Sequence, residues 1–183
     1  SYKTVILGRS GSDNPYTSQV LNTSGKITVV GTVTDARGYS VEKSTEIEVI
    51  PYSKPRIIPG EDKTKIICER CNSDGTLDPG GTYLKIEIGR MYSGVVSNGI
   101  QKNYCTLSYQ YKTDAAGEGD YSEAVELLSK DATGDYVSIV VPDVSLDQQT
   151  AYDVRLIAED NIGEKDTVTV VVRTVFATLH API

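Results

Sequence analysis

Apolar and polar positions alternate through most of this chain, the pattern of half-buried β-strands. The clearest stretch is Leu146 to Gly163, LDQQTAYDVRLIAEDNIG. Leu146, Thr150, Tyr152, Val154, Leu156 and Ala158 sit at even spacing. One strand face therefore gathers the larger apolar side chains, and Asp153, Arg155 and Glu159 point the other way; Ile157 alone breaks the alternation. Asp160-Asn161-Ile162-Gly163 then predicts a reversal, because short polar side chains bond their own backbone and Gly163 tolerates a positive φ. Val168, Val170 and Val172 predict the returning strand.

The same pattern occurs earlier. Ile27, Val29, Gly31 and Val33 alternate toward Asp35-Ala36-Arg37-Gly38, and Thr45, Ile47 and Val49 alternate after it. At one constant offset Val29 falls on Val154, Val33 on Ala158, Asp35 on Asp160, Gly38 on Gly163, Thr45 on Val170 and Ile47 on Val172. Two copies of one hairpin predict two related modules; the competing explanation is that any two hairpins share valines and a D-x-x-G turn. A full sandwich needs roughly 100 residues, about twice what lies before the end of the first copy. Either the chain is cut within its first module, or the missing strands pair with something else. An unpaired sheet edge there predicts strand addition, as weak self-association or contact with the second module.

Elsewhere, Thr4 to Leu7 and Tyr16 to Asn22 read as short strands around a Gly/Ser-rich loop. Pro51, Pro55 and Pro59 in PYSKPRIIPG predict a semi-rigid spacer. Strands are expected at Lys65 to Glu69, Tyr83 to Tyr92 with Leu84, Ile86 and Ile88 inward, Leu107 to Tyr111, and Tyr136 to Val141. Ser93 to Asn103 reads as a polar connection. SEAVELLSKD, from Ser122, fits either a helical face or a strand, and its strand neighbours favour a strand or an irregular crossover. The division expected is a partial immunoglobulin-like β module at 1–50, a proline-rich linker at 51–62, a β-sandwich at 63–176 and a tail at 177–183.

Composition narrows the function classes. A formal charge of -7 among 183 residues repels phosphate backbones at long range, and no basic stripe offsets it, so nucleic-acid binding is not expected. No run reaches membrane-span length, so no membrane insertion is expected, and SYKTVILGRS lacks the apolar core of a signal peptide. Three cysteines are too few for a disulfide scaffold and fit synthesis in a reducing compartment. Tyrosine is abundant, with 12 Tyr against one Phe and no Trp. Such rings suit half-buried strand faces, where the hydroxyl stays wet or finds a partner.

Leu146, Thr150, Tyr152, Val154, Leu156, Ala158 and Gly163 resemble fibronectin type III domains leading into and along their sixth strand. The resemblance implies that Tyr152 forms a corner, its hydroxyl bonding backbone upstream. The chain departs from that family in having no Trp on the early strand and no Pro two residues after Leu146. Three stretches, VTDARGYSVEKSTEIEVIPYSKPRI, IICERCNSDGTLDPGGTYLKIEI and NYCTLSYQYKT, also resemble minor structural proteins of tailed phages of Gram-positive bacteria, a siphovirus family with repeated immunoglobulin-like units. That resemblance implies a virion tail or tail-tip protein, made in the bacterial cytosol and acting outside the cell. Its partners would be other phage tail proteins and, for a host-attachment role, the host cell surface. The end at FATLHAPI suggests that the native chain continues.

Candidate chemistry is sparse. Cys68 and Cys71, with Cys105 and His180, could supply four zinc ligands, but residues three apart on a strand face opposite ways and His180 lies in the tail. Free buried thiols, or a Cys105 pair with Cys68 or Cys71, are the alternatives. The single histidine leaves no Ser-His-Asp or Cys-His arrangement within a module. Glu118 with Asp120, and Glu159 with Asp160, are paired carboxylates in turns and loops, where solvated side chains are expected. Asp114, Glu118 and Asp120 could gather around calcium, though their order lacks the calcium-loop motif. Tyr92, Tyr104, Tyr109, Tyr111, Tyr121 and Tyr136 could stack on sugar, but Tyr109 and Tyr111 alternate as core residues do. The expectation is an all-β chain of tandem immunoglobulin-like and fibronectin type III-like sandwiches, the first incomplete. It carries no catalytic residues and no cofactor, and serves as a spacer and interaction module. The competing expectation is an adhesin recognising wall carbohydrate. A third, an accessory module of a wall hydrolase, needs a catalytic domain elsewhere.

Overall fold

The computed structural model describes residues 23–142 and 144–174. Among them the regular structure is β-strand, apart from one 3-10 turn at Glu118–Asp120. The chain divides into two compact units between Pro51 and Tyr52. The strands expected over Thr4 to Leu7 and Tyr16 to Asn22, and the tail with His180, lie outside the described residues.

In the first unit the described residues form a hairpin of β1 (Gly25–Thr34) and β2 (Ser40–Val49), paired antiparallel without a slip, Val29 opposite Thr45 and Val33 opposite Val41. Period-two alternation places Ile27, Val29, Val33, Val41, Lys43 and Ile47 on one, mainly apolar, face and Lys26, Thr28, Val30, Thr32, Glu42, Glu46 and Glu48 on the other. Among the described residues the apolar face is uncovered: Val33 is 75% and Val41 74% exposed.

The second unit holds two four-stranded antiparallel sheets. In one, β5 (Tyr83–Met91) pairs on one side with β10 (Tyr136–Val140) and on the other with β3 (Arg56–Pro59) and β4 (Ile67–Cys71), taken in turn along its length. The second runs in the order β12 (Lys165–Val172), β11 (Tyr152–Asp160), β8 (Cys105–Thr113), β9 (Val125–Leu128). Leu84, Ile86 and Ile88 from the first sheet and Leu107, Tyr109, Val154, Leu156 and Ala158 from the second form one buried, sandwich-like core, closed by Val141, Val144 and Leu146. A short ribbon, β6 (Val96–Ser97) with β7 (Ile100–Gln101), rises from the connection expected to be merely polar.

The two hairpins share their turn bond for bond. Asp35 N donates to Tyr39 O at 2.9 Å as Asp160 N donates to Glu164 O at 3.0 Å, and Gly38 N and Gly163 N each return to the aspartate carbonyl at 3.0 Å. Each aspartate Oδ1 also accepts two amides: Arg37 N and Tyr39 N at Asp35, Ile162 N and Glu164 N at Asp160. Gly38 and Gly163 stand at φ 90° and 93°, where any other residue would be strained. Register agrees as well, since Val154 opposes Val170 as Val29 opposes Thr45.

Two expectations change. The stretch read as a spacer, 51–62, is largely part of the second unit: Pro55 is fully buried and Arg56–Pro59 is a sheet strand. Proline tolerates this position because β3 lies at the sheet margin, where a missing N–H breaks no ladder. The ambiguous SEAVELLSKD contributes β9, a strand beside β8 with a register shift at Leu107/Ser108.

Candidate functional site

The densest polar construction in the second unit surrounds Asp160. Its backbone ends β11, and its side chain is 3% exposed, so the solvated carboxylate expected of a turn is not what the fold builds. Oδ1 accepts the Ile162 and Glu164 amides, both at 3.0 Å. Oδ2 accepts the Tyr52 hydroxyl at 2.7 Å and Asn103 Nδ2 at 3.2 Å. Burial works to raise the Asp160 pKa, but these donors outweigh it and hold the carboxyl below its ordinary value. Burial and the adjacent carboxylate push Tyr52 the other way, well above the usual phenol range.

Residues immediately after Pro51 are stitched to the same end of the unit. Ser53 N donates to Ser93 Oγ at 2.8 Å, Lys54 pairs with Glu164 at 2.6 Å, and Ile57 N donates to Asp166 Oδ2 at 2.8 Å. Asn161 adds a second brace: its Oδ1 accepts Tyr104 N at 2.7 Å and its Nδ2 donates to Lys102 O at 3.1 Å. The β11–β12 turn, the connection before β8 and the entering chain thus form one hydrogen-bonded block.

Two buried arginines secure other loops without a buried carboxylate partner. Arg70, 4% exposed, donates to the carbonyls of Arg173, Gly81, Asp147 and Thr150. The Tyr152 hydroxyl accepts Asp147 N at 3.0 Å, so Tyr152 and Arg70 hold the same loop ahead of β11. Arg90, 2% exposed, donates to the carbonyls of Cys105, Ser129, Ala132 and Gly134 and to Asp135 Oδ1. A planar guanidinium with five donors satisfies several carbonyls at once, which a lysine cannot do in that geometry.

The other sequence candidates separate. Glu118 pairs with Arg155 at 2.6 Å, and Asp120 Oδ2 accepts Gly117 N at 2.8 Å. Among the described residues no group of three or more His, Cys, Asp or Glu could hold a metal ion. Cys68, Cys71 and Cys105 are buried free thiols, not a disulfide pair. Tyr109 is buried with Tyr111 stacked beside it at 6.4 Å. Tyr121 lies under the Arg155 guanidinium at 3.7 Å, and Tyr136 covers Gly89, so these rings make no common platform.

Asp35 and Gly38, and Leu146, Thr150, Tyr152, Val154, Leu156, Ala158 and Gly163, occupy turn, corner and core positions. Arg70, Arg90, Asn103 and the burial of Asp160 were not anticipated, yet the sequence carries their signal. Arg90, Arg70 and Asp160 occupy the inward parity of their strands one step beyond the apolar run, after Ile88, Cys68 and Ala158, and Asn103 stands two residues before Cys105, in the connection leading into β8. No protein-family model, curated protein or solved structure matches this chain.

Proposed function

We propose that this chain is a non-enzymatic spacer and interaction unit built from tandem β-sandwich modules, the second of fibronectin type III type, in the tail or tail tip of a phage of a Gram-positive host. The observation that carries the spacer reading is the anchoring of Tyr52, Ser53, Lys54 and Ile57 to the block around Asp160. Only Ile50 and Pro51 lie between the end of β2 and the first anchored residue. Extended, proline-containing backbone that enters a folded unit through fixed hydrogen bonds suits a spacer better than a flexible tether. The sheet orders and the Tyr152 corner support the fibronectin type III assignment of the second module. The buried polar groups support a mechanical role, since their bonds go to loops of the same unit. The virion assignment rests on the phage-like stretches of the sequence, and the tail proteins of that virion would be its partners.

Gold-labelled antibody against the chain should decorate the tails of the phage that encodes it, seen by electron microscopy; undecorated tails would refute the assignment. Fluorescently labelled chain should show no saturable binding to intact host cells or purified wall glycans. Saturable binding would replace the spacer reading with the adhesin.

A further inference from the structure

The β6–β7 ribbon turns through Asn98 and Gly99, between Ser97 and Ile100, which oppose each other across the ladder. Both turn residues have positive φ, 51° and 73°, the conformation an Asn-Gly pair favours in a two-residue hairpin. Both are exposed, and a Cβ built on Gly99 would meet nothing within 4 Å. The other asparagines among the described residues are held in place. Asn103 is 1% exposed, and its Nδ2 donates to Ser93 O and Asp160 Oδ2. Asn161 uses both side-chain amide atoms, on Tyr104 N and Lys102 O. Asn72 is fixed in a turn closed by Asn72 N to Thr76 O and Gly75 N to Asn72 O. Only Asn98 precedes a glycine in the sequence, so the amide nitrogen that follows it has no side chain beside it to hinder attack.

We propose that Asn98–Gly99 is a self-modification site, at which the Gly99 amide nitrogen attacks the Asn98 carboxamide and the product unfastens the β6–β7 ribbon. In the attack the Gly99 nitrogen gives up its proton and bonds to Asn98 Cγ. The carboxamide C–N bond breaks, ammonia leaves with that proton, and a five-membered imide remains. Water then opens the imide at either carbonyl. Opening at the side-chain carbonyl gives aspartate at position 98, and opening at the main-chain carbonyl gives isoaspartate, whose backbone runs through the former side chain and is one carbon longer. The nitrogen reaches Cγ by rotation about the Asn98 Cα–C bond, which requires the turn to open. Little opposes that opening, because each strand of the ribbon has two residues and a hairpin so small is marginal in water. A longer backbone and a new negative charge no longer fit a turn closed by two residues, so the bond at the base of the ribbon, Lys102 N to Val95 O at 2.7 Å, is lost. The site lies outside the bonds made by Asp160 and is independent of the spacer reading.

Peptide mapping by mass spectrometry of the unaltered protein decides it. Trypsin releases 71–85, 91–102, 103–112 and 156–165 as separate peptides, each carrying one of these asparagines. After storage of native protein in mildly alkaline buffer, where an amide nitrogen loses its proton more readily, 91–102 should gain the mass of an amide-to-acid exchange on the order of tenfold faster than the other three, because its turn opens most easily. It should elute as two products, aspartyl and isoaspartyl, both absent from a sample digested before storage, and should convert more slowly in mildly acidic buffer. An amide retained at Asn98, or conversion of Asn72 at the same rate, would overturn the site. Converted protein carries one more negative charge and separates by anion exchange. In its isoaspartyl form the Lys102 amide should exchange with solvent faster than in the parent protein; unchanged protection of that amide would overturn the unfastening.

Discussion

The Tyr52 hydroxyl donates to Asp160 Oδ2 at 2.7 Å, tying the first residue of the second unit to the turn between its last two strands. Removing the hydroxyl should cost about 1 kcal/mol, below the range of roughly 1.5–3 kcal/mol for a bond to a charged acceptor because Tyr52 is 40% exposed. Asp160→Ala also strands the Ile162 and Glu164 amides and should cost about 3 kcal/mol. Urea unfolding followed by tyrosine fluorescence on Tyr52→Phe, Asp160→Ala and the double variant should give a coupling of about 1 kcal/mol. A coupling of zero would remove the bond from the stability of this unit.

The pH dependence follows from the same pair. Asp160 titrates lower in the folded chain than in the unfolded one, so its contribution is complete above the ordinary carboxylate range and is lost as pH falls through its folded value. Glu87, held low chiefly by Lys85, adds to this acid limb. Tyr52 titrates higher when folded, so its contribution is complete below the ordinary phenol range and is lost as pH rises above it. Asp160→Asn should flatten the fall in urea midpoint at low pH, and Tyr52→Phe the fall at high pH. An acid limb identical in Asp160→Asn and the parent protein would exclude the carboxylate.

The thiols should be inert until the unit opens. Burial pushes Cys68 up to about 12 and Cys105 up to about 11, and raises Cys71 as well. Since the thiolate is the reactive form, native protein at pH 8 should release almost no chromophore from a disulfide reagent, and unfolded protein should release three equivalents. Prompt native reaction would contradict the burial.

The buried arginines should resist conservative replacement. Arg70→Lys and Arg90→Lys keep the charge but lose the fork that satisfies several carbonyls together, and each should cost about 2 kcal/mol or more. Arg155→Lys, whose partner Glu118 is 82% exposed, loses the guanidinium stacked on Tyr121 but strands no buried carbonyl, and should cost less, about 1 kcal/mol. Equal effects at the three positions in thermal unfolding would show that the guanidinium geometry is immaterial.

Alternation by itself specified the longer strands β1, β2, β5, β8, β10, β11 and β12, and the turn residues both D-x-x-G turns, because side-chain period and turn chemistry are local properties. The offset between the two hairpins was likewise legible, down to residues that later prove opposite each other. Reading PYSKPRIIPG as spacer misjudged it, since proline signals extended backbone equally in a linker and at a sheet margin. Burial of Asp160 was missed for a related reason: a turn motif describes the bonds of Oδ1, which are local, and not those of Oδ2, which come from Tyr52 and Asn103.

The sequence by itself determined an all-β chain with one hairpin written twice, since alternation and turn residues act over a few positions. Tertiary structure decided where β3 and β4 join the sheet, which polar groups are buried, and how the entering chain is fastened. Those outcomes depend on partners up to 109 positions apart, as Ile57 and Asp166 are. It also separated two hairpins of equal pattern: one buries its apolar face against β5, and the other presents that face uncovered among the described residues.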